Sequence, residues 1–372
     1  MTAAEILRAL VAIPTPSVVS NVPLIDWAAA FVEARGWHAQ RFAYTDDNGI
    51  AKANLIARPA SLDPASSIDL AFICHTDTVP YAPSWSRALD LHSSADGRFL
   101  HGCGSCDVKS ALACFLAALD TGEPITANAA LILTADEEIG CKGMDRLLAA
   151  TQLRIRSAIV SEPTSLRPCI AGKGYGLARI RIEGREAHSA FPREGVSAIH
   201  IAARFITRVG DLAHAETDTL FDPAHTTINV GLIEGGTAKN IVPGACSFLV
   251  EWRPIPADPP RSVLAELEWL ADQIRMEEPH ARIHIEPLRA EPGFAPAADG
   301  PLLKRLTAIA GQLRTPTGIS FGSEASRLAR VAQEIIVIGP GDMHTAHSDR
   351  ECVPLAELEE WTETLRMLLT SN

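Results

Sequence analysis

Several short stretches of this chain put metal-ligating and acid–base side chains where an apolar run stops. "FICHTDTVP" ends on His75 and Asp77, "HGCGSCDVKS" carries Cys103, Cys106 and Asp107, and "LILTADEEIG" ends on Glu137 and Glu138. "IVSEPT" ends on Glu162, and "GPGDMHTAHSDREC" carries His344 and His347 after "EIIVIG". His75 and Asp77 stand two apart and can face the same side of a strand end. That spacing suits an imidazole on a metal with a carboxylate behind its other ring nitrogen. Adjacent glutamates would be costly if driven unpaired into a sheet core, so a loop or a ligand site must receive them. Each stretch alone reads equally well as an ordinary strand end. Together they deliver His, Asp, Glu, Glu and His, the mixed nitrogen and oxygen set that suits a pair of borderline divalent ions such as zinc.

The C-x-x-C pair opens two rival readings, a zinc knuckle and a redox dithiol. A knuckle needs a second ligand pair at similar spacing, which the remaining cysteines among the eight do not offer. Redox dithiols sit at a helix N-terminus inside a thioredoxin-like unit, and the surroundings here do not match one. Asp107 is the stronger candidate. Glycines flank Cys103, and "DVKSALACFLAAL" starts a helix at Asp107, whose first turn favours a carboxylate.

These residues need a scaffold. At 372 residues the chain exceeds what one growing core usually serves, so two domains are expected. With 47% hydrophobic and 21% charged residues the composition is that of a soluble globular protein. A formal net charge of -12 argues against nucleic acid or an anionic membrane surface as partner. No apolar run reaches the roughly 18 to 20 residues that span a bilayer. "MTAAEILRALVAIPTPS" reads as an amphipathic helix without the basic start of a signal peptide, so a cytoplasmic location is expected.

Along the chain, "LIDWAAAFVEARG" has helical spacing and "ANLIARP" and "SIDLAFICHTD" read as strands. A helix, the strand "NAALILTADEE", the helix "GMDRLLAATQ" and the strand "SAIVSEP" follow, an α/β alternation with helices on both faces of a sheet. Near Lys173 the pattern changes. "GYGLARIRIEG", "VSAIHIAARFITRVGDLA", "TTINVGLIEGG", "CSFLVEWRP", "SVLAELEWLADQI" and "ARIHIEPL" run β-α-β-β-α-β, a ferredoxin-like order. After about residue 290 the first pattern resumes, through "EIIVIGP" to the helix "LAELEEWTETLRMLLT".

The motifs "HTDTVP", "GCGSCDVKSALA", "TADEEIGCKG", "SEPTSLRP", "GREAHSAFPREGVSAI", "GGTAKNIVP", "VEWRPIP", "FGSEA" and "GPGDMHTAHSDRE", in this order, resemble those of a di-zinc amidohydrolase family. That family holds acetylornithine deacetylase, succinyl-diaminopimelate desuccinylase, aminoacylase and glutamate carboxypeptidase. The resemblance spans essentially the whole chain. It implies a mixed-sheet zinc-peptidase-like catalytic domain, residues 1–173 and 290–372, with a ferredoxin-like lid and dimerisation domain inserted as residues 174–289. It implies two zinc ions, with cobalt or manganese as substitutes. Asp107 would bridge them, His75 and Glu162 completing one and Glu138 and His347 the other. Glu137 would be the general base and Asp77 the carboxylate that orients His75. His188 would hydrogen-bond the substrate carbonyl, reaching over from a partner subunit in dimeric members. Asn240, Arg253, Glu324 and Lys173 would meet the substrate, Arg253 at its α-carboxylate. Glu324 would meet a cationic side chain, with a surface salt bridge as its alternative.

The implied activity is removal of an acyl group from a small-molecule N-acyl amino acid, N-acetyl-L-ornithine first. Other N-acyl amino acids, succinyl-diaminopimelate, dipeptides, or a non-catalytic binding protein of the same fold stay open as alternatives. The chain departs from the family pattern at Cys103, where arginine is usual, at Gly172, where histidine is common, and in "AHSDRE", which lacks the usual proline and second acid. These departures bear on the substrate.

Overall fold

The computed structural model describes residues 1–63, 66–212, 216–298, 300–310 and 314–370. They fall into two compact units, Met1–Ile170 with Pro296–Thr317 and Ser323–Asn372, and Ala171–Ala295 with Gly318–Gly322. The short return segment Gly318–Gly322 belongs to the second unit because its backbone is tied there. Gly318 N–H donates to the Leu220 carbonyl at 2.7 Å and Lys173 N–H to the Ile319 carbonyl at 3.0 Å.

In the first unit six strands lie side by side in the order Trp37–Thr45, Ala51–Pro59, Ala129–Thr134, Ile68–His75, Ile155–Val160 and Ala332–Val337. The short strands Cys169–Gly172 and Thr317–Ile319 extend this sheet. Trp37–Thr45, which the apolar periodicity does not announce, forms an antiparallel hairpin with Ala51–Pro59, and that strand runs antiparallel to Ala129–Thr134. The next three pairings are parallel, so Ala129–Thr134, Ile68–His75, Ile155–Val160 and Ala332–Val337 all end at the same edge. The sheet is therefore mixed, with a parallel centre buried as parallel sheets must be. Strand residues Leu55, Phe72 and Leu133 share one apolar core with Leu7, Phe31, Phe115 and Leu368 from helices Ala3–Val11, Val22–Glu33, Lys109–Leu119 and Leu355–Thr370. Every residue of Lys109–Leu119 is buried, which its continuous apolar sequence permits.

The second unit is a four-stranded antiparallel sheet in the order Thr227–Gly235, Ala245–Arg253, Tyr175–Glu183 and Arg282–Glu291. Helices Ala198–Gly210 and Ser262–Glu277 pack on it through Phe205, Leu267 and Ile274 against Ile180, Phe248 and Trp252. Chain order and strand order together are those of a ferredoxin-like unit. The first of these helices ends at Gly210, three residues short of its expected end, and that end, Ala213, lies outside the described residues. Among the described residues no helix is long and apolar enough to cross a membrane.

One close approach in the first unit bears on the site. Gly143, near the start of helix Lys142–Ala150, donates its N–H to the Ala135 carbonyl at 3.1 Å, and a Cβ there would lie 2.0 Å from that oxygen. Only glycine lets this helix dock on the turn that leaves Ala129–Thr134. Gly143→Ala is expected to lower stability by about 1–3 kcal/mol, read from urea denaturation, because the backbone must shift to relieve the clash.

Candidate metal centre

The common edge of the parallel strands is where open α/β sheets place their sites. His75 closes Ile68–His75, the turn Ala135–Glu138 follows Ala129–Thr134, Glu162 follows Ile155–Val160, and His347 lies in the loop after Ala332–Val337. Asp107 arrives from a different direction, just before helix Lys109–Leu119. Two ligand groups result, His75 with Asp107 and Glu162, and Asp107 with Glu138 and His347, each with its ligand atoms within 4.8 Å of one another. Asp107 is common to both. Its Oδ1 lies 3.0 Å from His75 Nε2 and its Oδ2 3.1 Å from His347 Nε2, so its two oxygens face different imidazoles. His347 Nε2 is also 3.1 Å from Glu138 Oε2. His75 Nδ1 lies 2.9 Å from the Asp77 carbonyl oxygen. In the tautomer that donates this hydrogen bond, the Nε2 lone pair is left for a metal.

The electrostatics fit a cation pair. Burial, reinforced by the charges of Asp107 and Glu137, pushes the Glu162 carboxyl well above the usual range. Burial, and the charges of Glu138, Glu324 and Asp77 against an opposing His75, raises Glu137 to about 8. Burial also acts to raise Asp107, but the hydrogen bonds from His347 and His75 outweigh it and hold that carboxyl well below the usual range. Divalent ions at the two groups would relieve this crowding of acids. Imidazole and carboxylate donors in this ratio suit zinc and its neighbours in the first transition row.

Residues 71–371 match the profile of peptidase family M20/M25/M40. The chain belongs to that family. It is 42% identical over 356 residues to acetylornithine deacetylase from Myxococcus xanthus, across 95% of this chain and 92% of the relative. Among solved structures, a tripeptidase from Staphylococcus aureus superposes with a TM-score of 0.80 at 22% identity, covering 99% of this chain and 97% of the other. A Bacillus subtilis protein described as a dinuclear metal binding peptidase of the M20 family superposes at 0.68 with 14% identity, covering 100% and 98%. At these identities the two structures speak for the fold alone.

Within this M20 chain, the expected site residues are not all arranged as their motifs suggest. Asp77 orients His75 through its backbone carbonyl, whereas its carboxylate stands 3.7 Å from His75 Nδ1 and is engaged elsewhere. That carboxylate accepts from Ser17 Oγ at 2.7 Å, from Glu137 N–H at 3.0 Å and from Glu138 N–H at 3.3 Å. Glu324 is no surface salt-bridge partner: it is 1% exposed, with Oε1 lacking a hydrogen-bond partner, and burial raises it to about 7. His344 is exposed, and its backbone N–H donates to Asp342 Oδ1. In the second unit Lys173 is 4% exposed, and its ammonium is spent on the Pro223 and His225 carbonyls, both at 2.7 Å, which leaves it a tether for that loop rather than a free cation. His188 and Asn240 come together on one short ribbon: His188 pairs with Ile241, and Ser189 N–H donates to the Asn240 carbonyl at 3.0 Å. Arg253 stacks on Tyr175 at 4.4 Å with Nε on Glu251 at 2.9 Å.

The departures also find physical accounts. Cys103 and Cys106 are buried free thiols, and burial pushes Cys103 up to about 11, which removes the reactive thiolate a redox role needs. At Gly172 a Cβ would lie 2.2 Å from the Phe294 ring, so that ring fills the space a side chain would take. Sequence reasoning missed Glu351, 2% exposed, whose Oε1 accepts from Cys106 N–H at 2.9 Å and Asp107 N–H at 3.0 Å and so holds the backbone of the residue common to both ligand groups. It also missed Lys52, 0% exposed on the strand "AKANLIARP", where a charged residue among buried neighbours was the available signal.

The sharing of Asp107 has a measurable outcome. Asp107→Ala is expected to abolish binding of both metal equivalents, whereas Glu162→Ala and His347→Ala each weaken one about 10- to 100-fold or more, as metal analysis after dialysis will show.

Proposed function

We propose that this chain is a metal-dependent amidohydrolase that removes the acyl group from an N-acyl amino acid, with N-acetyl-L-ornithine, yielding ornithine and acetate, as its leading substrate. One feature of the geometry carries the reaction: Glu137 stands next in sequence to a ligand of one group, within the field of both, yet belongs to neither. The choice of substrate leans on the likeness to the Myxococcus xanthus acetylornithine deacetylase.

His75, Asp107 and Glu162 would hold one zinc ion and Asp107, Glu138 and His347 the other, cobalt or manganese being substitutes. Bound there, the ions lower the pKa of water toward neutrality and polarise an amide carbonyl. Glu137 is the proton carrier. A carboxylate that belongs to neither ligand group is able to take a proton from the attacking water and to return it to the departing amine. Asp77 keeps the Glu137 and Glu138 peptides in place through their N–H groups. His188 stabilises the developing oxyanion, from the partner subunit of a homodimer built through the second unit. Arg253 takes the α-carboxylate on the edge of its guanidinium that Glu251 leaves free, and Asn240 assists. Glu324 meets the cationic end of the substrate. The same reading assigns the enzyme to arginine biosynthesis in the cytoplasm.

Glu137→Ala is expected to retain both metal equivalents while deacylation falls between about 10²- and 10⁴-fold. A variant with wild-type turnover would remove Glu137 from the mechanism. Turnover across N-acetylornithine, N-acetylcitrulline, N-acetylmethionine, succinyl-diaminopimelate and dipeptides, on zinc-loaded enzyme, tests the substrate, and N-acetylornithine is expected to lead.

A further inference from the structure

Among the buried polar side chains of strand Ala51–Pro59, Lys52 and Asn54 are two residues apart and therefore on one face. Both reach the turn that presents Glu137. Lys52 Nζ lies 2.8 Å from Asp136 Oδ1 and donates to the Ser17 and Val19 carbonyls at 2.7 and 2.8 Å. Tyr44, on the neighbouring strand, donates its hydroxyl to Asp136 Oδ2 at 2.8 Å. Asn54 accepts from Ala135 N–H at 3.0 Å and donates to the Gly143 carbonyl at 2.8 Å. Ser17, whose carbonyl Lys52 holds, passes its own hydroxyl to Asp77, which accepts the Glu137 and Glu138 N–H groups. One ammonium thus fixes the Glu137 peptide from two sides, directly through Asp136 and indirectly through Ser17 and Asp77.

We infer that Lys52, Asp136 and Tyr44 are positioning residues for Glu137, setting the direction of a carboxylate they do not touch. The inference rests on the reading of Glu137 as proton carrier. A need for stability alone does not account for the pair, because a buried ion pair adds little over apolar residues of the same volume. What it supplies is direction: Lys52 donates to two backbone carbonyls while its charge faces Asp136 Oδ1, and Asp136 Oδ2 accepts from Tyr44. Asp136 needs that support, because it sits at φ 57°, in the left-handed region that non-glycine residues seldom adopt. Displacing a catalytic group by about 1 Å can cost on the order of a hundredfold in rate, so a loosened turn should appear in turnover before it appears in binding.

Tyr44→Phe removes one bond to Asp136 and keeps the ring that Arg146 covers at 4.7 Å, so it tests the idea with little risk to folding. Full-length, zinc-loaded protein is assayed with N-acetyl-L-ornithine, alongside metal content and thermal midpoint. We expect kcat to fall roughly ten- to a hundredfold, with KM within about twofold and both metal equivalents retained. Lys52→Met is expected to fall further where it folds, and Tyr44→Phe decides the matter where it does not. In a Glu137→Gln background Tyr44→Phe should cost nothing more, because residues that act through one group are not additive. A purely structural role would lower the residual rate again. The inference is overturned by a folded Tyr44→Phe enzyme with wild-type kcat, by loss of metal in step with rate, or by an equal fall in the Glu137→Gln background. Wild-type turnover by Glu137→Gln itself would instead strike the reading of the base, so the two failures are distinguishable.

Discussion

The structure is organised around the mutual repulsion of carboxylates withdrawn from water. Asp77, Asp107, Glu162, Glu324 and Glu351 are all at most 5% exposed in the first unit, with Glu137 and Glu138 beside them. Two unit charges 4 Å apart at an effective dielectric constant of 20 repel by about 4 kcal/mol, so a cluster of this kind cannot stand on packing alone. The fold meets the repulsion in separate ways. Histidines are interleaved with the acids at His75 and His347. Backbone N–H groups point at two of those outside the ligand groups, two toward Glu351 and two toward Asp77. The remaining excess of negative charge is what a pair of divalent cations neutralises, which makes the site a metal centre rather than a salt-bridge network.

A parallel sheet makes this economical in chain. Four strands ending at one edge bring His75, the Glu137 turn, Glu162 and the loop of His347 together without long excursions. Asp107 has no strand of its own, and Glu351, a buried glutamate remote in sequence, holds its peptide. The second unit contributes no member of either ligand group and carries its own core around Trp252, with Gly176 left bare because a Cβ would lie 1.8 Å from the indole.

The members of the two ligand groups were legible in the sequence as candidates: His75, Glu138, Glu162 and His347 follow apolar strands, and such an interruption is visible without knowing the fold, whereas Asp107 stood out by its flanking glycines and the helix start after it. The alternation from residue 174 onward was legible for the same reason. What escaped were groups whose partners lie far away along the chain. Glu351 reads as one more acid in "AHSDRE", and only tertiary structure sets it against Cys106 and Asp107. For Glu324, read from "FGSEA" as meeting a cationic side chain or a surface salt bridge, what escaped was its burial, which comes from elements that sequence proximity does not reveal. Lys52 defeats the usual expectation that lysine is exposed, since the two carbonyls and the carboxylate around its ammonium are invisible until the strand is folded. Asp77 was recognised as part of the site, but side-chain spacing could not say that its carbonyl, rather than its carboxylate, would face His75.

The difference in role between two adjacent glutamates comes down to backbone conformation. Along a regular strand Glu137 and Glu138 would simply alternate faces. The positive φ at Asp136 breaks that alternation and turns the chain just after Thr134, so that Glu138 reaches His347 while Glu137 is left outside both ligand groups. Such a residue costs about 1–2 kcal/mol in the left-handed region, a cost that Asp bears better than most because its short carboxylate can be held locally. Here it is held by Lys52 and Tyr44, and the turn is braced further by Gly143 N–H on Ala135. His347 also has positive φ, 58°, so two of the residues that shape the second ligand group occupy strained conformations. Strain of this kind persists only where surrounding bonds over-determine it, and in this chain those bonds converge on the turn that separates Glu137 from the ligand groups.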